Sequence, residues 1–144
     1  MNTLENFDHQ VKKQDKAHFT HLIQVAIADG TIDTAELTLL YRLGKKMGFT
    51  DPEMDELIES TRNSMFIPPY ELAKRFEQVY EIVRMMLADG KIDNAEMRLA
   101  TNLALKSGFA EKEIPGLLLL LMDGIRKGED EEDLFLVYKK KRAA

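Results

Sequence analysis

Cysteine is absent from all 144 residues. That excludes a disulfide framework, a thiolate zinc site, an iron–sulfur cluster and a cysteine nucleophile. Long apolar runs are also missing: Leu117 to Met122, flanked by Ile114 and Ile125, is far short of the roughly 20 residues that a membrane-spanning helix needs. Positive charge is in deficit, with 20 Lys and Arg against 25 Asp and Glu for a net charge of −5. With a pI near 5.3, this is the wrong sign for a domain that lives on nucleic-acid phosphates, and no nucleic-acid partner is expected. The amino-terminal MNTLENFDHQVKKQDK places acids early and has no apolar stretch of signal-peptide length, so a cytoplasmic location is expected. The sequence contains no Gly-rich phosphate loop, nucleophile elbow or HExxH, and no enzymatic activity is expected.

What is present is ordinary globular composition, 44% hydrophobic and 31% charged, in a length that suits one domain. The chain is also a duplication. Residues 21–58 laid on 81–118, an offset of 60, match at 14 of 38 positions. The matches cluster: Ala28, Asp29, Gly30, Ile32, Asp33, Ala35 and Glu36 recur as Ala88, Asp89, Gly90, Ile92, Asp93, Ala95 and Glu96, and Gly48-Phe49 recurs as Gly108-Phe109.

Apolar residues recur at three and four, as in Phe19, Leu22, Ile23 and Ala26 and again in Phe76, Val79, Val83 and Met86, and strand alternation is absent. The expected fold is all-α: a single domain of two pseudo-symmetric three-helix repeats, about 15–63 and about 70–122, followed by a C-terminal helix at about 129–140. Gly30 and Gly90 suit a left-handed helix end, while Asp33 and Asp93 suit N-caps three residues ahead of Glu36 and Glu96. Gly48 and Gly108 stop the second helix of each repeat, and Thr50-Asp51-Pro52-Glu53 starts the third. Pro115 predicts that the equivalent helix of the second repeat begins late or kinks. Between repeats, SMFIPPY (64–70) predicts a linker packed down through Met65, Phe66 and Ile67, with Pro69 opening the next helix. Tyr41, Phe49, Phe76 and Phe109 are expected in the core. The six apolar residues from Leu117 cover every face of a helical turn, so this helix should be central, wrapped by the first helix and by a last helix with the stripe Leu134, Phe135 and Tyr138.

The acidic loops carry the chemistry. Read as a calcium loop, residues 25–36 place Asp29 at position five, Gly30 at six, Asp33 at nine and Glu36 at twelve. Positions one and three are Val25 and Ile27, and in the second copy Met85 and Leu87, so the first half of an EF-hand is missing. Capping alone accounts for Gly30, Asp33 and Glu36. It leaves Asp29 and Asp89, negative charges at helix C-termini that the dipole disfavours by about 0.3–1 kcal/mol and that a bound cation would offset. His18 and His21 share a helix face, but their counterparts Gln78 and Glu81 are not a second pair of zinc ligands. The run Lys139 to Arg142 reads as a solvated helix end.

The duplicated A-D-G-x-I-D-x-A-E motif in a cysteine-free, all-helical chain resembles the tellurite-resistance TerB-like family, which includes the N-terminal domain of a DnaJ-type co-chaperone. The match covers about residues 15–122. It implies an all-α fold with internal pseudo-symmetry and a divalent-metal site, for calcium or magnesium, at Asp29, Asp33, Glu36, Asp89, Asp93 and Glu96. It also implies a role in stress-response assemblies with a protein partner, reaching membranes only through that partner. The alternative, second to this reading, is a metal-free helical protein–protein adaptor, and a homodimer is compatible with the helical pattern.

Overall fold

Caps and glycines divide the chain into helices. The computed structural model describes the backbone of residues 3–27 and 32–143 and the side chains of 15–27 and 32–143, and every regular element among them is helical. Two compact units follow one another, Met1–Phe66 and Ile67–Ala144.

The first unit holds α1 (Thr3–Ile27), α2 (Thr34–Lys46) and α3 (Asp51–Thr61). α1 starts well before residue 15, where the repeat comparison places the first copy. Asp33 caps α2 by accepting from the Glu36 amide at 2.7 Å. Thr50 and Glu53 form a reciprocal box at the start of α3, with Pro52 in its first turn, as the sequence predicts. Phe19, Leu22, Ile23, Leu40, Leu43 and Met54 are fully buried, and the Phe19 and Phe49 rings stack at 5.8 Å. Tyr41 departs from expectation. It is only half-buried, because its hydroxyl donates to the Asp55 carboxylate across the α2–α3 turn.

The second unit holds α4 (Leu72–Met86), α5 (Asn94–Lys106), α6 (Ile114–Arg126) and α7 (Glu131–Ala143), with 3-10 turns at Leu87–Asp89 and Glu111–Glu113. α2 and α5 begin and end at the same residues shifted by 60. α6 starts three residues later than that shift predicts: the 3-10 turn takes the place of a first α-turn, and Pro115 falls within the first two positions of the delayed helix. Gly48 and Gly108 close α2 and α5 at φ 93° and 94°, conformations that non-glycine residues rarely adopt. α7 lies two to three residues later than expected, with acids at its start and Lys140, Lys141 and Arg142 at its end.

α6 packs against α4, α5 and α7. Leu117, Leu118 and Leu121 are buried and Leu119 is 63% exposed, so these neighbours leave one strip of the apolar run uncovered. Leu134 and Tyr138 are buried, and the Tyr138 ring meets Phe76 at 5.5 Å and Phe109 at 5.9 Å. The expected α7 stripe therefore does lie across the core.

The linker departs from expectation. Met65 and Ile67 are 79% and 76% exposed and Tyr70 is 96% exposed, so only Phe66, edge-on to His21 at 5.8 Å, is tucked in. α4 begins at Leu72 behind Glu71, three residues past Pro69. The prolines hold the segment before them extended, where successive side chains point to opposite sides, so with Phe66 turned inward Met65 and Ile67 both turn outward.

Candidate functional site

The acidic loops are helix junctions. In the second unit, α4 ends at Met86 and continues through a 3-10 turn to Asp89, after which Gly90 takes a left-handed conformation at φ 85°. Asp89 is exposed, and its Oδ1 accepts from the Lys91 amide at 3.1 Å. That Asx turn gives a local reason for a carboxylate at a helix C-terminus, where the dipole alone disfavours it.

Asp93 and Glu96 close on each other. The Glu96 amide donates to Asp93 Oδ1 at 2.8 Å and the Asp93 amide donates to Glu96 Oε1 at 3.1 Å, a full capping box. Glu96 is only 4% exposed, whereas Asp93 faces solvent. In the first unit, the Asp33 cap on α2 is present and both Asp33 and Glu36 are exposed. Asp29, with Ala28, Gly30 and Thr31, lies outside the described residues.

Ordinary EF-hand geometry is excluded by burial as well as by residue type. Met85 and Leu87, at loop positions one and three, are 3% and 8% exposed and belong to the core, as does Val25 at position one of the first loop. Among the described residues, no group of three or more His, Asp or Glu side chains is placed to hold a metal ion. Of the predicted ligands, the structure brings together Asp93 with Glu96 and Asp33 with Glu36, each pair through a cap. Asp89 turns to its own loop.

His18 and His21 occupy α1, both half-buried. His18 Nδ1 is buried without a hydrogen bond. Burial, then the neighbouring His18, lowers the pKa of His21. Glu131, at the start of α7, is pushed above the ordinary glutamate range first by burial, then by Glu77 and Glu81.

The sequence motifs do not point to a groove of about 170 Å³ between α6 and α7, lined in part by Gly116, Leu120 and Tyr138. The one trace of it in the sequence is a change between repeats: Glu56 and Ser60 of the first copy become Gly116 and Leu120 in the second.

Among the described residues, no helix is long and apolar enough to cross a membrane. No protein-family model, curated protein or solved structure matches the chain.

Proposed function

We propose that the chain is a non-enzymatic, TerB-like helical module that acts in the cytoplasm by holding a protein partner in a stress-response, tellurite-resistance-type assembly. Each of its two pseudo-symmetric copies is a helix-loop-helix-helix unit, and its acidic loops serve as rigid junctions between helices. The observation that carries this reading is the Asp93–Glu96 box, closed in both directions with Glu96 buried. A carboxylate pair held as a cap is poorly placed to act as acid and base, and it makes the loop a fixed scaffold.

The test is proximity labelling in the source cell under tellurite stress. Recovery of one protein in stoichiometric amount with the wild type, lost when Leu119→Glu is introduced on the exposed strip of α6, supports the reading. Recovery of the chain alone and monomeric would overturn it.

Asp89 favours a second reading, in which the acidic loops take up calcium or magnesium. It is an exposed carboxylate at the C-terminal end of a helix, where the dipole disfavours it, and it is repeated in sequence at Asp29. A cation bound there raises the thermal midpoint by mass action, and Asp29→Asn with Asp89→Asn removes the rise. A midpoint that does not respond to millimolar metal would end this second reading.

A further inference from the structure

Among the described residues, three glycines sit inside helices, and they differ in what a β-carbon would meet. At Gly44 it would overlap the Met54 side chain and at Gly124 the Leu134 side chain, whereas at Gly116 it would meet nothing within 4 Å. Close packing therefore explains the first two. Gly116 lies in the first turn of α6, where glycine costs up to about 1 kcal/mol relative to alanine, and nothing inside the fold requires it. It opens onto the α6–α7 groove.

The floor of that groove is apolar, made by Leu117, Leu120 and the ring of Tyr138. One edge is cationic. Lys141 and Arg142 stand there, both exposed, with the Arg142 guanidinium over the Tyr138 ring at 6.0 Å. These full charges outweigh the half-charge of opposite sign at the α7 C-terminus. Glu113 is the one acid on the lining, and both its oxygens are engaged: Oε1 accepts from the Ala110 amide at 2.9 Å and Oε2 from the Tyr138 hydroxyl at 3.1 Å.

The duplication supplies a control. A groove of about 120 Å³ in the first unit is lined by Glu53, Glu56, Leu57 and Ser60, with Lys16 and Phe49. Shifted by 60, those first four positions are Glu113, Gly116, Leu117 and Leu120. One copy keeps polar side chains at two places where the other has a bare backbone and a leucine.

We infer that the α6–α7 groove docks an acidic segment of a partner protein, which inserts one branched aliphatic or aromatic side chain over Gly116 and sets its carboxylates against Lys141 and Arg142. This rests on the adaptor reading above and names the chemistry of its partner. The volume decides against a free small molecule, since such sites run from about 300 to 1,000 Å³, and suits a single anchoring side chain with charges at its rim. A concave pocket beside cations does not suit a bilayer surface, which takes up protruding apolar residues.

The experiment is selection of a random peptide display library on the full chain, followed by fluorescence polarisation of the enriched peptides. The variants are Gly116→Leu, which fills the groove from an open position, and the double variant Lys141→Glu with Arg142→Glu. Both should retain the wild-type circular dichroism spectrum. The expected peptides carry several Asp or Glu around one Leu, Ile or Phe and bind either variant at least tenfold more weakly. Peptides that bind Gly116→Leu as tightly as wild type would overturn the groove while leaving the adaptor reading intact. A library with no enriched peptide would also overturn the groove, and the adaptor reading would then be judged by its own labelling experiment. Sedimentation with phosphatidylglycerol vesicles that is undiminished in Gly116→Leu, in place of peptide binding, would assign the cationic edge to a membrane and overturn the proposal.

Discussion

Leu134 of α7 seats its side chain directly on the backbone of Gly124 in α6, so closely that a β-carbon at 124 would overlap both Leu134 methyl carbons. Leu134 is completely buried and Gly124 is buried beside it. The contact holds α7 against α6 and so shapes one side of the apolar groove.

Gly124→Ala should therefore destabilise the chain. Alanine gains about 1 kcal/mol of helix propensity, but overpacking a filled site costs about 1–3 kcal/mol, and Leu134 is completely buried. A net loss of up to about 2 kcal/mol is expected in urea denaturation. Combined with Leu134→Ala, the substitution should cost less than the sum of the two, because the partner in the overlap is gone. Strict additivity would show that the two residues do not press on each other.

The two acidic loops should respond unequally to loss of their glutamates. Glu96 is buried and returns a bond to the Asp93 amide, whereas Glu36 is exposed. Glu96→Ala is expected to lose about 1–2 kcal/mol and Glu36→Ala about 0.5 kcal/mol. Equal losses would mean that the buried box contributes no more than a surface helix start.

Glu131 gives a pH signature. Its folded pKa lies above the ordinary value, through burial first and then Glu77 and Glu81, so the folded chain holds this proton more tightly than the unfolded chain does. The contribution is fully present below the unfolded glutamate pKa and is lost as pH rises through the folded one. Glu131→Gln, which cannot ionise, should gain stability relative to wild type between about pH 4 and pH 7. Denaturation midpoints that differ by the same amount at both ends would contradict the shift.

Tyr138 separates its ring from its hydroxyl. Tyr138→Phe removes the bond to Glu113 while keeping the ring, and should cost about 1 kcal/mol. Tyr138→Ala also removes the contacts with Phe76 and Phe109 and should cost about 3–5 kcal/mol. Both are read from equilibrium unfolding, and an alanine variant as stable as the phenylalanine one would show that α7 does not close this core.

What could be read from the sequence was local. Asp33, Thr50 and Asp93 act within three residues of themselves, and their caps appear in the structure where the spacing places them. Gly108 ends α5 for the same kind of reason, its positive φ being a property of one residue. The misses needed a partner distant in sequence. Leu119 stays exposed because α4, α5 and α7 happen to cover the other faces of α6. Met65 and Ile67 looked like core residues by type, yet no helix carries them inward. The groove depends on Tyr138 standing 22 residues from Gly116, and only the contrast of Glu56 with Gly116 between repeats hinted at it. At the acidic loops, residue types were compatible with either a cap or a cation, and the hydrogen bonds of Asp93 and Glu96 show the cap.

The exposed ring of Tyr70 sets what an optical measurement of this chain detects. There is no tryptophan, and ultraviolet emission comes from four tyrosines. Tyr70 is 96% exposed in the folded chain, so unfolding hardly alters its surroundings and it contributes a constant background. The signal that changes comes from Tyr138, buried among aromatic rings, and from the half-buried Tyr80 and Tyr41. Two of these three belong to the unit beginning at Ile67. A tyrosine-detected melt therefore follows mainly the release of α7 from α4, while circular dichroism weighs the helices of both units, and a gap between the two curves would measure how separately the two halves of the duplication come apart.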